Sequence, residues 1–298
     1  MVRASAWTAL TMLVVAVGLA TPAAAEPPQA IRLGVLEGMF RDVPAPLVQA
    51  AATPFRELLK RQTGLNGQLD IQPDHEELAA RLQEKKVHVG VFHGFEWAWV
   101  KDRHPDLIPL AVSVPARRFQ AALVVNADSK AQVPANLKGA VTLPLGSKAH
   151  CYLFAERLAE TLPAGTIVPT HTPKHGPDDV LDLVIDGKEQ AAVIDVATLD
   201  AFRSDRPGRG AQLRVLAQSD PFPLSTVVYR KDTLTPEMVA RIKSGLLNTK
   251  NEPTGRAFLF MWKLRGFEEV PAGHDAELRA VAAKYPAPRA ATGMTMHP

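Results

Sequence analysis

Two short stretches hold the residue types able to do chemistry. The first runs from Val141 to Arg157, VTLPLGSKAHCYLFAER. It reads as a short apolar strand, a Gly-Ser turn and the opening of an amphipathic helix. Ser147 is the expected N-cap, with Leu153, Phe154 and Leu158 behind it at helical spacing. The first turn then carries Lys148, Ala149, His150 and Cys151. Free backbone N–H groups and the positive end of the helix dipole make such a turn suited to anions. The same field lowers a thiol's pKa, so Cys151, the single cysteine of the chain, is expected to be more thiolate-like than a core cysteine. The second stretch, His93-Gly94-Phe95-Glu96-Trp97, follows the apolar run Val87–Phe92.

These residues admit three chemistries. As an anion site, Ser147, Lys148 and the amides of 147–150 grip a phosphate, phosphonate or carboxylate. His93 donates from the facing side and Arg118 assists. Glu96 is then protonated, accepts from a ligand hydroxyl or ammonium, or points away. As a soft metal or metalloid site, Cys151, His150 and His93, with Glu96 as a further donor, form a mixed set suited to zinc or copper. Adjacent helix residues diverge by about 100°, so His150 and Cys151 do not easily face one ion, and no CxxC or HxxxH spacing is present. As a thiol enzyme, Cys151 attacks with His93 or His150 as base and the helix start as oxyanion hole, but no third, orienting residue is evident.

Each residue also has a plain structural reading. Cys151 fits a buried thiol, His150 a solvent-facing side chain and Glu96 a first-turn carboxylate favoured by the dipole. Trp97 fits the core or the wall of a cleft. Asp195 ends a buried strand, facing either a ligand or its own packing.

The elements that position these groups alternate. Ile31–Leu36 is a nearly continuous apolar run, as in a parallel strand covered on both faces. A helix through Phe55, Leu58 and Leu59 stops at Gly64; Leu69–Ile71 is a second strand. Asp74, with Glu77 three residues on, starts a helix ending at Lys85-Lys86. Val87–Phe92 is the next strand. The first hundred residues therefore run β-α-β-α-β-α, an open α/β sheet, and ligands of such sheets sit beyond the carboxyl ends of strands. That rule points to Glu37 and to 93–97.

Leu107–Val114 and Phe119–Val125 are strand-like. A second α/β series follows over Ala140–Leu143, the helix from Ser147, Thr166–Val168, Pro177 to Ile185, Gln190–Ile194 and Ala197 to Phe202. Leu213–Ala217 and Ser225–Tyr229 are strands. Helices cover Pro236–Leu247, Gly255–Leu264 and Ala276–Tyr285. Strand-like connections near 112–120 and 217–226 predict two lobes, the second inserted into the first. Lobe 1 takes 26–116 plus 222–290 and lobe 2 takes 117–221. Residues 291–298 form a Pro/Ala/Gly-rich tail read as disordered. Closure of two such lobes about a hinge over a small ligand is the usual use of the arrangement.

Residues 1–25 read as a cleaved secretory leader: Arg3, an apolar segment Ala9–Ala20 too short to span a bilayer, and Ala23-Ala24-Ala25 before Glu26. No cysteine follows the apolar segment, so a lipid anchor is not expected. The mature chain, about 270 residues, suffices for two lobes and is expected to be exported to a periplasm. The formal charge of +3 is small and evenly spread, with no basic run interleaved with aromatics, which argues against nucleic acid. One cysteine permits no internal disulfide.

Four stretches carry a resemblance to a family: EKKVHVGVFHGFEWAWV, VTLPLGSKAHCYLF, DDVLDLVIDGKEQAAVID and LRVLAQSDPFPLSTVVYRKDTLTPEMVARIKSGLL. From about Ile31 to Tyr285 the chain resembles the phosphate/phosphonate-type periplasmic solute-binding proteins of ABC transporters, the PhnD/SsuA/transferrin-like group. The resemblance implies the two-lobed type 2 periplasmic-binding-protein fold and a small-molecule ligand passed to an inner-membrane ABC permease. A monomer without cofactor is expected, and a periplasmic sensor that signals its ligand to a membrane kinase is a further reading that the sequence does not separate from transport. It also implies tetrahedral oxyanion binding by the hydroxyls and amides of a Ser-Thr-Ser turn, matched here only at Ser147. Lys148, Ala149 and His150 take the next three positions, and Cys151 replaces a glycine. The family's Gly-Pro-x-Ser-Tyr turn is His93 to Trp97 here. Glu96, in place of a serine, would repel a dianion.

Overall fold

The computed structural model describes residues 30–288 except Asp42, so the expected leader and tail lie outside the described residues. The chain begins with β1 (Ala30–Leu36), α1 (Ala45–Ala51), α2 (Thr53–Thr63), β2 (Asn66–Gln72), α3 (His75–Gln83), β3 (Val89–Phe92), α4 (Gly94–Val100) and β4 (Leu107–Pro115). It then crosses into β5 (Ala121–Asn126), β6 (Gly139–Leu143), α5 (Ala149–Glu160), β7 (Ile167–His171), α6 (Pro177–Ile185), β8 (Ala192–Asp195), α7 (Val196–Asp205), α8 (Pro207–Gly210) and β9 (Leu213–Gln218). A second crossing leads back through β10 (Thr226–Arg230), α9 (Pro236–Leu247), α10 (Pro253–Met261), β11 (Leu264–Glu268) and α11 (His274–Lys284).

Local chemistry accounts for many boundaries. Asp74 caps α3, its carboxylate accepting from the Glu77 N–H at 2.9 Å. Thr235 caps α9 in the same way, accepting from Met238 N–H at 3.3 Å, with Pro236 at the first helical position. Gly64 ends α2 in the left-handed conformation, φ +76°, and its N–H donates to Lys60 O. The helix expected to run to Leu264 instead stops at Met261. Lys263 turns the chain through φ +52°, and the residues beyond it form β11, an edge strand antiparallel to β4.

The strands make two sheets, ordered β11-β4-β10-β3-β1-β2 and β7-β6-β8-β5-β9. In the first, β1 runs parallel to β2 and β3, and β10 lies antiparallel between β3 and β4. In the second, β6 runs parallel to β7 and β8, and β5 lies antiparallel between β8 and β9. Each lobe thus has a parallel half and an antiparallel strand that the chain supplies just after a crossing. The two crossings pair: Ala121 and Ser219 exchange hydrogen bonds of 2.9 Å, and Phe222 N–H donates to Phe119 O.

Alternation of side chains across the strands gives the first sheet two faces. Leu36 and Phe92 pack with α3, α4 and α11 on one side. Ile31, Leu33, Val35, Val89 and Val227 face α2, α9 and α10 on the other. The second sheet is covered by α5 on one face and by α6 and α7 on the other.

Candidate ligand-binding site

Where the chain crosses between the two sheets, aromatic rings stack in sequence. His93 lies on Phe95, with centroids 5.1 Å apart and planes 6° apart, and Phe95 meets Phe222 at 5.8 Å. Phe222 meets His150 at 5.6 Å, and His150 stacks on Phe119 at 5.2 Å. The two stretches singled out from the sequence are therefore joined through one ring column running from lobe to lobe. Offset ring pairs of this kind add to simple burial.

His93 sits at the start of α4. Its Nδ1 lies 2.5 Å from a Glu96 carboxylate oxygen, which also accepts from the His93 backbone N–H at 3.3 Å. Glu96 is thereby occupied at the helix start. Gly94 is required for packing: a Cβ there would stand 2.5 Å from Pro223 O and 2.7 Å from Leu224 O. Trp97 points the other way, 2 % exposed, against Phe92 in the core.

Across the cleft, the helix starts one residue later than the sequence suggests. Lys148, not Ser147, is the N-cap of α5, and no side chain caps it. Ser147 is buried in the preceding turn, its N–H donating to Pro144 O at 3.1 Å. Gly146, φ +76°, makes that turn possible. Cys151 is 1 % exposed and packs in the lobe 2 core. Burial pushes its thiol far above the ordinary cysteine range, and the nearby Asp195 charge acts in the same sense. The thiolate expected from the dipole is thus overturned, because a dry interior outweighs the field of one helix end.

Asp195, buried at the end of β8, ties this corner together. It accepts from Lys148 Nζ at 2.7 Å and from His150 Nε2 at 3.1 Å. Burial alone would raise the Asp195 carboxyl; the His150 hydrogen bond and the Lys148 charge outweigh it and hold the group below its usual range. Burial holds the His150 ring below the usual imidazole range, only partly offset by Asp195. His150 is therefore a neutral donor, and neither the solvent-facing reading nor the base reading fits it. A niche of about 30 Å³ lies beside this triad, lined by Cys151, Asp195 and Thr198, roughly the room of one water.

A cavity of about 710 Å³ opens at the cleft. His93, Ser147, Lys148, Ala149 and His150 all line it. Glu37, Gly94, Glu96, Trp97, Arg118, Cys151 and Asp195 do not. Arg118 turns outward to Glu277 at 3.5 Å, and its neighbour Arg117 lines the cavity instead, paired with Asp200 at 2.9 Å. The bend after β4 sends the two adjacent arginines to different partners, and the sequence does not say which one meets the cavity. Two further cations, Arg41 and Lys263, line the mouth and were not foreseen; Arg41 lies 4.1 Å over the Tyr152 ring, joining the lobes. Every charged residue lining the cavity is a cation. Among the described residues no three His, Cys, Asp or Glu side chains gather where they could hold a metal ion, so His93, His150 and Cys151 are not brought together as ligands. No helix among the described residues is long and apolar enough to cross a membrane.

Comparison with known proteins places this architecture. PhnD1 from Prochlorococcus marinus (MIT 9301), solved with methylphosphonate, is similar at TM-score 0.61 and 14% identity, covering 86% of this chain and 98% of that one. XAC2383 from Xanthomonas citri, bound to ATP, is similar at TM-score 0.62 and 18% identity over 87% and 97%. A binding-protein component of an ABC phosphonate transporter from Pseudomonas aeruginosa is similar at TM-score 0.57 and 16% identity over 86% of each chain. These likenesses establish the two-lobed fold. No curated protein matches the chain. The model of one family, described as ABC transporter, phosphonate, periplasmic substrate-binding protein, matches residues 38–274, and the chain belongs to that family of transport components rather than enzymes.

Proposed function

We propose that the protein captures a small tetrahedral oxyanion of the phosphonate class between its lobes and passes it to an inner-membrane ABC permease. The observation that carries this reading is the company around Lys148. Lys148 and the first residues of α5 line the same cavity as His93, and the charged residues lining that cavity are all basic. With His93 Nδ1 committed to Glu96, the ring's Nε2 is the nitrogen left for a ligand oxygen. Asp195 then acts behind the site, holding Lys148 in place instead of touching the ligand. The described crossings, with one pairing of strands and one column of rings, are suited to a hinge.

A ligand that binds only the folded protein raises its melting temperature. Methylphosphonate, phosphite, phosphate and sulfate added to the mature chain are expected to do so for at least one phosphorus oxyanion. The rise should vanish in Lys148→Ala and survive in Cys151→Ala. Stabilisation by zinc or copper but by no oxyanion, or loss on Cys151→Ala alone, would overturn the reading.

A further inference from the structure

The cavity is much larger and much less polar than a methylphosphonate requires. From the basic mouth it extends under the first sheet, between the faces of β1 and β3 and helices α2, α9 and α10. Its inner wall is aliphatic and aromatic, with Ile31, Val89, Leu59, Ile242, Leu246 and Phe258 on it. Its volume of about 710 Å³ lies within the ordinary range for sites that enclose an organic ligand, about 300–1,000 Å³. A second observation concerns the surface. Among the described residues, four of the seven large apolar side chains that stand exposed, Val43, Leu47, Leu145 and Met261, line this same cavity. Apolar groups exposed together at the rim of a pocket mark a ligand or contact surface. Charge completes the pattern: Arg41, Arg117, Lys148 and Lys263 line the cavity with no carboxylate among them.

A hollow with an apolar interior and a cationic mouth is complementary to one chemical class. We infer that the ligand is an amphiphilic oxyanion, a phosphonate or phosphate monoester head carrying an unbranched apolar chain. The head sits at Lys148 and His93, and the chain lies in lobe 1 under the first sheet. The inference rests on the oxyanion reading above and specifies the ligand's other half.

Titration of the mature protein with methyl-, butyl- and octylphosphonate, and with octanol as the uncharged control, tests it at concentrations below self-association. Each buried methylene is worth about three- to fourfold in affinity, so octylphosphonate is expected to bind at least about 100-fold tighter than methylphosphonate. Octanol is expected to bind far more weakly than octylphosphonate. Val89→Phe, which places a ring in the hollow, should bring octylphosphonate down to the methylphosphonate level. Methylphosphonate affinity within threefold of wild type then reports an intact head site and an intact fold. Binding of methylphosphonate with no gain along the series would overturn the chain assignment and leave the oxyanion reading standing. Equal binding of octanol and octylphosphonate would overturn the head assignment. Failure of every phosphonate would remove both.

Discussion

The two lobes repeat one strand order, with the parallel trio at one side and an inserted antiparallel strand toward the other, yet their interiors differ. Lobe 2 is closely packed: Val193, Ile194, Leu181, Val184 and Phe154 are buried on the two faces of its sheet, and the niche beside Asp195 holds about 30 Å³. Lobe 1 is solid on the α3/α4/α11 face, whereas on the other the buried cluster of β1, β3, α2, α9 and α10 surrounds the cavity. Protein interiors are otherwise packed like organic crystals, so a hollow of this size is lost dispersion and lost burial that the rest of lobe 1 offsets. On the ligand reading proposed above, the lobes do different work: lobe 2 supplies a polar corner held by the Lys148–Asp195–His150 hydrogen bonds, and lobe 1 supplies volume.

Paired substitutions test this contrast most strongly. Leu181→Ala in lobe 2 is expected to cost about 2–5 kcal/mol, because its neighbours already touch and cannot collapse. Leu59→Ala, at the edge of an existing void, should cost visibly less; equal losses in urea denaturation would mean that the hollow is filled in solution. The reverse change is next in size. Val193→Phe overpacks lobe 2 and should cost about 1–3 kcal/mol, whereas Val89→Phe finds room and should leave the melting temperature nearly unchanged.

Acidification probes the polar corner. The His150 pKa is depressed in the folded state, so the unfolded chain takes up a proton below about pH 6.5 that the folded chain refuses. That contribution is intact above pH 6.5 and is lost as pH falls. Buried His88 and His274 shift in the same sense, and Asp195, also depressed, adds its loss below about pH 4. Melting temperature should be flat above pH 7 and drop between pH 6.5 and 5, with a smaller drop in His150→Gln. A melting temperature that held or rose at pH 5 would contradict a neutral, buried His150. The smallest loss expected is for Arg41→Ala, which removes an exposed cation from the Tyr152 ring and should cost about 0.5–1 kcal/mol by thermal denaturation.

Much of the framework was legible in residue order. The alternation of apolar runs with capped amphipathic segments placed α6 and α9 at their observed limits and put Asp74 at the start of α3, since those signals are local. β11 was not legible. LRGFE has no long apolar run, and only pairing with β4 makes it a strand.

The site divided along the same line. That 93–97 and 147–151 would meet followed from where strands end in open α/β sheets, a rule of chain connectivity. Which member of each stretch faces the cleft did not follow. Successive helix residues point about 100° apart, and the roll of a helix on its sheet is set by everything packed behind it. Lys148 and His150 therefore reach Asp195 while Cys151 turns into the core, and His93 faces out while Trp97 turns in. The hollow was the least visible feature. Ile31, Leu33 and Val89 read as core residues whether the space before them is filled or empty, because composition records an apolar face and only the distance to the opposing helices records whether anything fills it.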